Sequence, residues 1–253
     1  MSTQTFNEIQ QLQEDSYEFP YHWAIDKDTT KGRLYFGYLH LAISLSEQLK
    51  REGSATLRIL DAGCGDARFL KELQECGNYE LHGSDYSEQA VAFARLLING
   101  VRFSTNDLTK RTEYPDNHFD VIFLIETLEH IIPEEIPNLM RELRRILKPG
   151  GELIITVPSI NRPLAKKHYQ HFSEESLTQA QEEFFADVIV VGQDRIGFHP
   201  LKVLYALFDN KLWLIRPLAR WYNRSVWPKY FNRCASDEGR RVISRAVKDE
   251  LLK

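Results

Sequence analysis

Cysteine is scarce in this chain, with only Cys64, Cys76 and Cys234 among 253 residues. Three cysteines do not make a disulfide framework, and no two of them form the C-x-x-C pair that is typical of structural zinc sites. This usage suits a reducing compartment. We therefore expect a cytoplasmic protein, either free or in contact with a membrane surface.

Long apolar runs are also missing. No stretch approaches the roughly 20 apolar residues that a bilayer-spanning helix needs. The first residues lack the basic segment and apolar stretch of a secretory signal. The formal net charge of −4 does not by itself indicate nucleic acid as a partner, and 43% hydrophobic residues indicate a globular protein. The length predicts one large α/β domain with additions.

From about residue 56 the sequence alternates between short apolar stretches and amphipathic segments. This alternation favours a parallel sheet with helices on both faces. The predicted strands are 57–61, 80–84, 101–104, 119–125 and 151–157, and the predicted helices are 66–76, 87–98 and 134–147. Outside this region we expect a helix over 35–51, a helix near 174–183, an apolar stretch at 186–191, interrupted helices over 200–231 and a last strand over 241–248.

The most informative segment follows the first predicted strand and reads Asp-Ala-Gly-Cys-Gly from Asp61 to Gly65. Its two glycines permit a sharp turn and let a ligand approach the backbone, because neither has a Cβ. The third glycine of a G-x-G-x-x-G motif would fall at Arg68, so the dinucleotide pattern is not met. Loops at the carboxyl ends of parallel strands are where α/β sheets bind ligands. A plain strand–turn–helix corner is the alternative.

Polar residues follow the next two strands. Asp85 lies 20 residues beyond Gly65, where a carboxylate can accept both ribose hydroxyls of a nucleoside. A capping role for Asp85 or Ser87 at the next helix is compatible with that function. After the third strand, a polar side chain of segment 104–107 can accept a hydrogen bond from an adenine amino group while Leu108 packs against the ring. An ordinary turn is the alternative there.

The fourth strand leads directly into Glu126-Thr127-Leu128-Glu129-His130, and the segment 147–153 closes the region. These five motifs, in this order, resemble the class I S-adenosylmethionine (SAM)-dependent methyltransferases of the type 11 group over residues 56–158. The resemblance implies a Rossmann-like α/β fold. Its sheet would have seven mostly parallel strands, helices on both faces, an antiparallel last strand and a helical cap inserted before that strand. Ala67 stands where the family often has a glycine.

The resemblance also implies SAM as the cofactor. It assigns the glycines to the methionine part, Asp85 to the ribose, Asp107 to the adenine, and Glu126 and Thr127 to the floor beside the transferred methyl group. The full set of residues expected to contact SAM is Asp61, Ala62, Gly63, Gly65, Asp85, Tyr86, Asn106, Asp107, Leu108, Glu126 and Thr127.

Two histidine-containing segments indicate the chemistry. An oxygen acceptor must lose its proton, which suits a histidine base or a metal ion, so we expect His130, His168 and His171 to be catalytic. A Glu-x-x-Glu-His cluster is associated with a metal in the similar ubiquinone-type O-methyltransferases and bacterial small-RNA 2′-O-methyltransferases. Because both histidine segments should face the same cleft, Glu126, Glu129, His130 and His171 could together bind a divalent cation such as Mg²⁺. The alternative is that Glu129 and His130 only fix the start of a helix.

We expect three parts, namely an N-terminal arm and helix over 1–55, a SAM-binding core over 56–160, and an acceptor-side segment with the cap and last strand over 161–253. The aromatic segment 17–23 is either a lid over the cofactor or structural covering. Residues 201–233 hold eight aromatic residues, seven Lys or Arg and one acid, Asp209. This composition suits a membrane surface or single-stranded nucleic acid. It equally suits a cap with an aromatic core and a solvent-exposed basic face.

The leading hypothesis is O-methylation of a small or lipid-linked acceptor, such as a glycan precursor, a polyprenyl-linked sugar or a quinone-like phenol. An RNA 2′-O-methyltransferase is a second hypothesis, against which the acidic net charge stands. A SAM-binding regulatory protein without activity is the third, against which the intact Glu126–His130 cluster stands.

Overall fold

The structure, a computed structural model, describes residues 8–50, 56–210 and 212–249. The predicted arm therefore includes residues 1–7 and 51–55, which lie outside the described part. The strands are β1 Arg58–Ala62, β2 Glu80–Asp85, β3 Val101–Thr105, β4 Phe119–Ile125, β5 Leu147–Pro158, β6 Ala186–Arg195, β7 Arg233–Cys234 and β8 Gly239–Val247. The α-helices are α1 Glu8–Glu14, α2 Thr30–Leu45, α3 Arg68–Cys76, α4 Glu88–Leu97, α5 Ile136–Ile146, α6 Glu174–Glu182, α7 Pro200–Ala206 and α8 Arg216–Trp221.

The strands form one sheet in the order β3-β2-β1-β4-β5-β8-β6-β7. Strands β1 to β5 pair in parallel, whereas β8 is antiparallel to both β5 and β6. This arrangement confirms the predicted Rossmann-like fold with an antiparallel last strand. The sheet has eight strands rather than seven because Arg233 and Cys234 add a two-residue edge strand beside Gly192 and Gln193.

Strand β4 explains why both faces of the sheet are covered. Its successive side chains point to opposite faces. Ile122 and Leu124 pack in one apolar cluster with residues of α5 and α6. Val121 and Phe123 pack in a second cluster with residues of α2 and α3. All four side chains have no exposed surface, and the strand is accordingly apolar at each of these positions.

Helix α2 begins earlier than its apolar periodicity indicated. Thr29 caps it by accepting a hydrogen bond from the Gly32 amide at 3.1 Å. The chain after α2 is anchored to the sheet at the buried carboxylate of Glu152. That carboxylate accepts from Ser46 Oγ at 2.5 Å and from Arg245 Nη2 at 2.7 Å. These bonds fix the helix whose aromatic side chains contribute to the cavity described below.

The predicted helical cap is present between β6 and β8. It consists of α7, α8 and two π-helical turns, Tyr222–Val226 and Pro228–Asn232. The cap has an aromatic core of buried side chains, namely Tyr205, Phe208, Tyr222, Trp227 and Phe231. The guanidinium of Arg33, on α2, lies 4.0 Å from the Tyr205 ring centre and 4.4 Å from that of Trp227. Cation–π contacts of this kind hold the cap on the core of the domain.

Two of the seven basic residues of segment 201–233 form ion pairs with the loop before α2. Arg216 lies 2.7 Å from Asp26, and Arg220 lies 2.7 Å from Asp28. Trp213 and Trp221 are about half exposed. Across the described ranges, no helix is both long enough and apolar enough to span a bilayer. The division of the chain into three parts stays a prediction.

Candidate functional site

A cavity of about 790 Å³ opens at the carboxyl ends of β1, β2 and β4, beneath the N-terminal arm. Its size lies within the range of about 300–1,000 Å³ that is usual for small-molecule sites. Ten of the eleven predicted cofactor residues line the cavity, namely Asp61, Gly63, Gly65, Asp85, Tyr86, Asn106, Asp107, Leu108, Glu126 and Thr127. Ala62 does not line it, since its side chain is fully buried in β1.

The glycine loop is a left-handed turn. Gly63, Gly65 and Ala67 have φ angles of 82°, 50° and 62°, which delays the start of α3 to Arg68. A Cβ on Gly63 would lie 2.2 Å from Thr127 Oγ1. Because no such contact is possible, glycine is required where the loop meets the chain that follows β4.

Asp85 joins this loop to the tip of β2. One carboxylate oxygen accepts from the Gly65 amide at 2.7 Å, and the other accepts from the Ser87 amide at 2.9 Å. Burial raises the pKa of Asp85, against the effect of these backbone hydrogen bonds. Ser87 caps α4 by accepting from the Ala90 amide at 3.0 Å. The carboxylate keeps free lone pairs for donors from a ligand.

Asp61 is a buried acid that has no hydrogen-bond partner among the described residues. Neither of its carboxylate oxygens has a hydrogen-bond partner within the described ranges. Burial, and then the charges of Asp85 and Asp66, raise its pKa well above the ordinary value. An unpaired buried carboxylate is costly unless a cation or donor reaches it. SAM carries an ammonium and a sulfonium group, so this chemistry fits the cofactor.

The segment after β3 forms the turn that was the alternative to adenine binding. The Thr109 amide donates to Asp107 Oδ1 at 3.1 Å, and Lys110 lies 2.8 Å from the other Asp107 oxygen. Asn106 Nδ2 donates to Ser104 Oγ at 2.8 Å. Leu108 reaches the cavity although its side chain is largely buried in the core. The adenine contacts of these residues stay a prediction.

The aromatic part of the arm covers the glycine loop. Tyr17 is buried, and its hydroxyl lies 2.7 Å from the place a Cβ on Gly65 would occupy. Trp23 Nε1 donates to the Asp66 carbonyl at 2.9 Å, and the His22 ring lies 3.0 Å from the Asp66 carboxylate. The segment is thus a cover over the cavity. Whether it opens as a lid stays a prediction.

Glu126 is held by Arg241 and Thr156. It has a left-handed φ of 49°. One carboxylate oxygen lies 2.8 Å from Arg241 Nε, and the other accepts from Thr156 Oγ1 at 3.1 Å. Arg241 belongs to β8, far along the chain, and no sequence motif indicated it.

Tyr35 and Tyr38 on α2 also line the cavity and were not predicted to do so. Their spacing of three places them on one face of the helix, which is the sequence pattern that could have indicated them.

Backbone carbonyls fix the tautomer of two histidines. His130 Nδ1 lies 2.8 Å from the Lys167 carbonyl, so this nitrogen must donate, and the lone pair is on Nε2. His171 Nδ1 likewise donates to the Arg162 carbonyl at 3.2 Å, so its Nε2 accepts from His168 Nδ1 at 2.9 Å. The lone pair of His168 is therefore also on Nε2.

His130 and His168 line the cavity, whereas the described lining does not include His171. Burial lowers the pKa of His130 to about 4. Burial, followed by the nearby His130 and His171, lowers the pKa of His168 to about 3. Both imidazoles are therefore neutral at ordinary pH, which is the form required of a base or a metal ligand.

The four predicted metal ligands are not brought together. Glu129, His130 and His168 offer ligand atoms that all lie within 4.8 Å of one another. Glu126 is absent from this group because it is paired with Arg241, and His171 because it lies behind His168. Burial, and then the charge of Glu126, raise the pKa of Glu129, whose Oε2 has no hydrogen-bond partner in the described chain.

Comparison with known proteins agrees with this geometry. Residues 59–151 match a family model described as a methyltransferase domain. The matched segment of this chain, residues 59–151, is thus a methyltransferase domain. This confirms the predicted methyltransferase family, and that family implies SAM as the cofactor. The match coincides with the segment that forms the glycine loop and the ends of β2 and β4.

Two curated relatives match part of this chain. A phosphoethanolamine N-methyltransferase 3 from Arabidopsis thaliana is 38% identical over 39% of this chain and 20% of its own length. A ubiquinone biosynthesis O-methyltransferase from Pseudomonas aeruginosa is 32% identical over 45% of this chain and 48% of its own length. The matches thus span about a fifth to a half of these relatives.

The fold of the whole domain has counterparts among solved structures. A SAM-dependent methyltransferase from Thermotoga maritima, described as a possible histamine N-methyltransferase, superposes with a TM-score of 0.58. The two chains are 21% identical, and the superposition covers 85% of this chain and 89% of the other. At this identity the likeness concerns the fold alone.

Replacing Gly63 by alanine should disturb the cofactor site. The new Cβ would collide with Thr127, so we expect SAM affinity to fall by at least about tenfold in calorimetric titration, since even 1.4 kcal/mol of distortion has that effect. Gly150→Ala is the matched control, because Gly150 has a φ of 69° and no atom within 4 Å of a new Cβ. If Gly63→Ala folds poorly, the double variant Gly63→Ala/Thr127→Ala should regain stability. Equal SAM affinity in both single variants would contradict this account.

Proposed function

We propose that the chain transfers the SAM methyl group to a hydroxyl group of a small acceptor bound in the cavity. The observation that carries the proposal is the pair of neutral imidazoles, His130 and His168, whose free Nε2 atoms are fixed by hydrogen bonds at Nδ1. A hydroxyl must lose its proton as it becomes methylated, and a positioned neutral histidine can take that proton. SAM supplies an activated methyl group, so the protein contributes mainly alignment and exclusion of water.

The residues of this chain divide these tasks. Asp85 and Asp61 would hold the cofactor, since one keeps free lone pairs and the other has no partner among the described residues. Tyr17 and the surrounding arm would keep water from the reacting groups. His171 would act as a positioning residue, because it touches His168 rather than the cavity.

A small acceptor is favoured by the shape and lining of the site. Tyr21, Tyr35 and Tyr38 line the cavity and suit a quinone-like phenol or another compact acceptor. Of the two relatives described above, one is named for phosphoethanolamine, an amine, and the other for O-methylation in ubiquinone biosynthesis. A test panel should therefore contain amines as well as phenols. Lipid-linked acceptors remain within the proposal.

The RNA hypothesis has weaker support. Arg216 and Arg220, two of the cations that suggested it, are engaged by Asp26 and Asp28. The hypothesis of a regulatory protein without activity must account for two neutral histidines aimed at the same cavity. The same ion pairs reduce the charge that a membrane surface would attract.

Substitution of the two histidines tests the proposal. We expect His130→Gln and His168→Gln each to lower kcat by about 10²–10⁴-fold, the usual contribution of a general base, while SAM affinity changes less than about twofold. His40→Gln is the control, because His40 is more than half exposed and outside the cavity. Since burial lowers the pKa of His130 to about 4, the base is neutral above that value, and kcat/KM should fall only below about pH 5. Unchanged turnover in both variants would contradict the proposal.

One observation favours a second mechanism, in which a metal ion assists the methyl transfer. Glu129, His130 and His168 form a compact set with one oxygen and two nitrogen ligands. The Nδ1 bond from His130 to a backbone carbonyl is the contact that metal-bound histidines usually make. A cation here would also compensate the buried carboxylate of Glu129. The nitrogen-rich set favours a transition metal over Mg²⁺.

Removal of metal tests this metal-assisted mechanism. If a cation is used, dialysis against EDTA should abolish turnover, and one divalent metal should restore it. Glu129→Gln should then raise the metal concentration needed for half-maximal activity by about 10-fold or more, as expected for loss of a charged ligand. Turnover that survives EDTA would exclude a metal role and leave the histidine base.

A further inference from the structure

Two cations in the cavity stand apart from the others. Five Lys or Arg side chains line the cavity. Three of them are paired at 2.8 Å, namely Arg68 with Glu72, Lys110 with Asp107, and Arg241 with Glu126. Arg162 and Lys167 line the same cavity, and within the described chain neither side chain forms an ion pair or a hydrogen bond.

These two cations are not ordinary surface charges. Both side chains are partly buried, so each gives up part of its hydration. Their nearest acids act only beyond ion-pair distance: Glu129 and Glu126 on Lys167, and Glu126 on Arg162. By contrast, the neighbouring Lys166 is exposed and does not line the cavity. A partly buried cation that has neither an ion pair nor a hydrogen bond is stabilised further by an anion from outside the chain.

Their place in the chain puts them beside the reacting groups. Both belong to the loop between β5 and α6. The carbonyl of Arg162 holds His171, and the carbonyl of Lys167 holds His130. The same short segment therefore fixes the histidines and carries the two free cations. Asp61, Asp66 and Asp85 belong to the loops after β1 and β2, at the glycine end of the cavity. Glu126 and Glu129 lie at the histidine end, where Glu126 is already paired with Arg241.

We propose that Arg162 and Lys167 bind an anionic group of the methyl acceptor, a phosphate or a carboxylate. This inference rests on the proposed function and names its substrate class. A guanidinium can hold two oxygens of such a group at once, and an ammonium adds a compact charge. Because the cations are inside a small-molecule cavity, the acceptor is a small anionic molecule whose methylated atom lies near the two histidines.

The first experiment measures binding of inorganic phosphate, which needs no knowledge of the acceptor. Phosphorus NMR titration is done on protein saturated with S-adenosylhomocysteine, so that the carboxylate of the cofactor is already in place. Arg162→Gln and Lys167→Gln should each weaken phosphate binding by about tenfold or more, as for loss of a charged hydrogen bond. Lys166→Gln, the matched control, should bind phosphate as the unaltered protein does.

Two results would overturn the inference. Equal phosphate binding in all three variants would show that Arg162 and Lys167 are not the anion site. Loss of phosphate binding on addition of S-adenosylhomocysteine would assign the two cations to the cofactor instead. Neither result depends on turnover, so each is distinct from failure of the proposed function.

The second experiment compares acceptor pairs that differ by one anionic group. Phosphoethanolamine is paired with ethanolamine, and 3,4-dihydroxybenzoate with catechol. We expect kcat/KM to favour the anionic member of one pair by about tenfold to a hundredfold, the range for one charged hydrogen bond. The preferred pair distinguishes phosphate from carboxylate, and the preference should fall below about threefold in Arg162→Gln and Lys167→Gln. Turnover that is equal for the neutral and anionic members would overturn the inference and leave the proposed function standing.

Discussion

The hydrogen bond from the Gly65 amide to the Asp85 carboxylate is the contact on which the site depends. It joins the loop after β1 to the tip of β2 at 2.7 Å, in a buried position. The left-handed turn around it brings Gly63 against Thr127 after β4, and Gly65 against Tyr17 of the arm. The ends of β1, β2 and β4 and the N-terminal arm thus all come into contact at Gly63 and Gly65.

The chemical end of the cavity is organised by a different principle. There, main-chain carbonyls of one loop determine which nitrogen of each histidine is free. Lys167 fixes His130 directly, and Arg162 fixes His168 through His171. The loop that sets the histidines therefore also carries the two cations without partners in the described chain. A substrate anchored by those cations would have its reacting atom close to the free Nε2 atoms.

The cofactor end could be predicted from the sequence because its determinants are local. A glycine pair after an apolar strand, and an acid at the tip of the next strand, need no knowledge of distant packing. The acceptor end depends on contacts between segments far apart. Arg241, on β8, forms an ion pair with Glu126, so Glu126 is not one of the residues that could bind a metal ion together. The conformation of one loop selects His168 over His171.

The cap illustrates the same limit. Its aromatic and basic composition was readable in the sequence, but the ion pairs of Arg216 and Arg220 with Asp26 and Asp28 connect residues about 190 positions apart. Two of its charges are thus used to hold the cap on the arm. The extra edge strand β7 could not be predicted from the sequence either, because two residues are too few to show a strand pattern.

The central claim is that one cavity holds SAM at the glycine loop and an acceptor at the histidines. A crystal structure with S-adenosylhomocysteine tests it most directly. The account predicts that both ribose hydroxyls lie within hydrogen-bond distance of Asp85, that the methionine ammonium lies near Asp61, and that the sulfur faces His130 and His168. A ligand bound elsewhere, or a sulfur turned away from the two histidines, would contradict it.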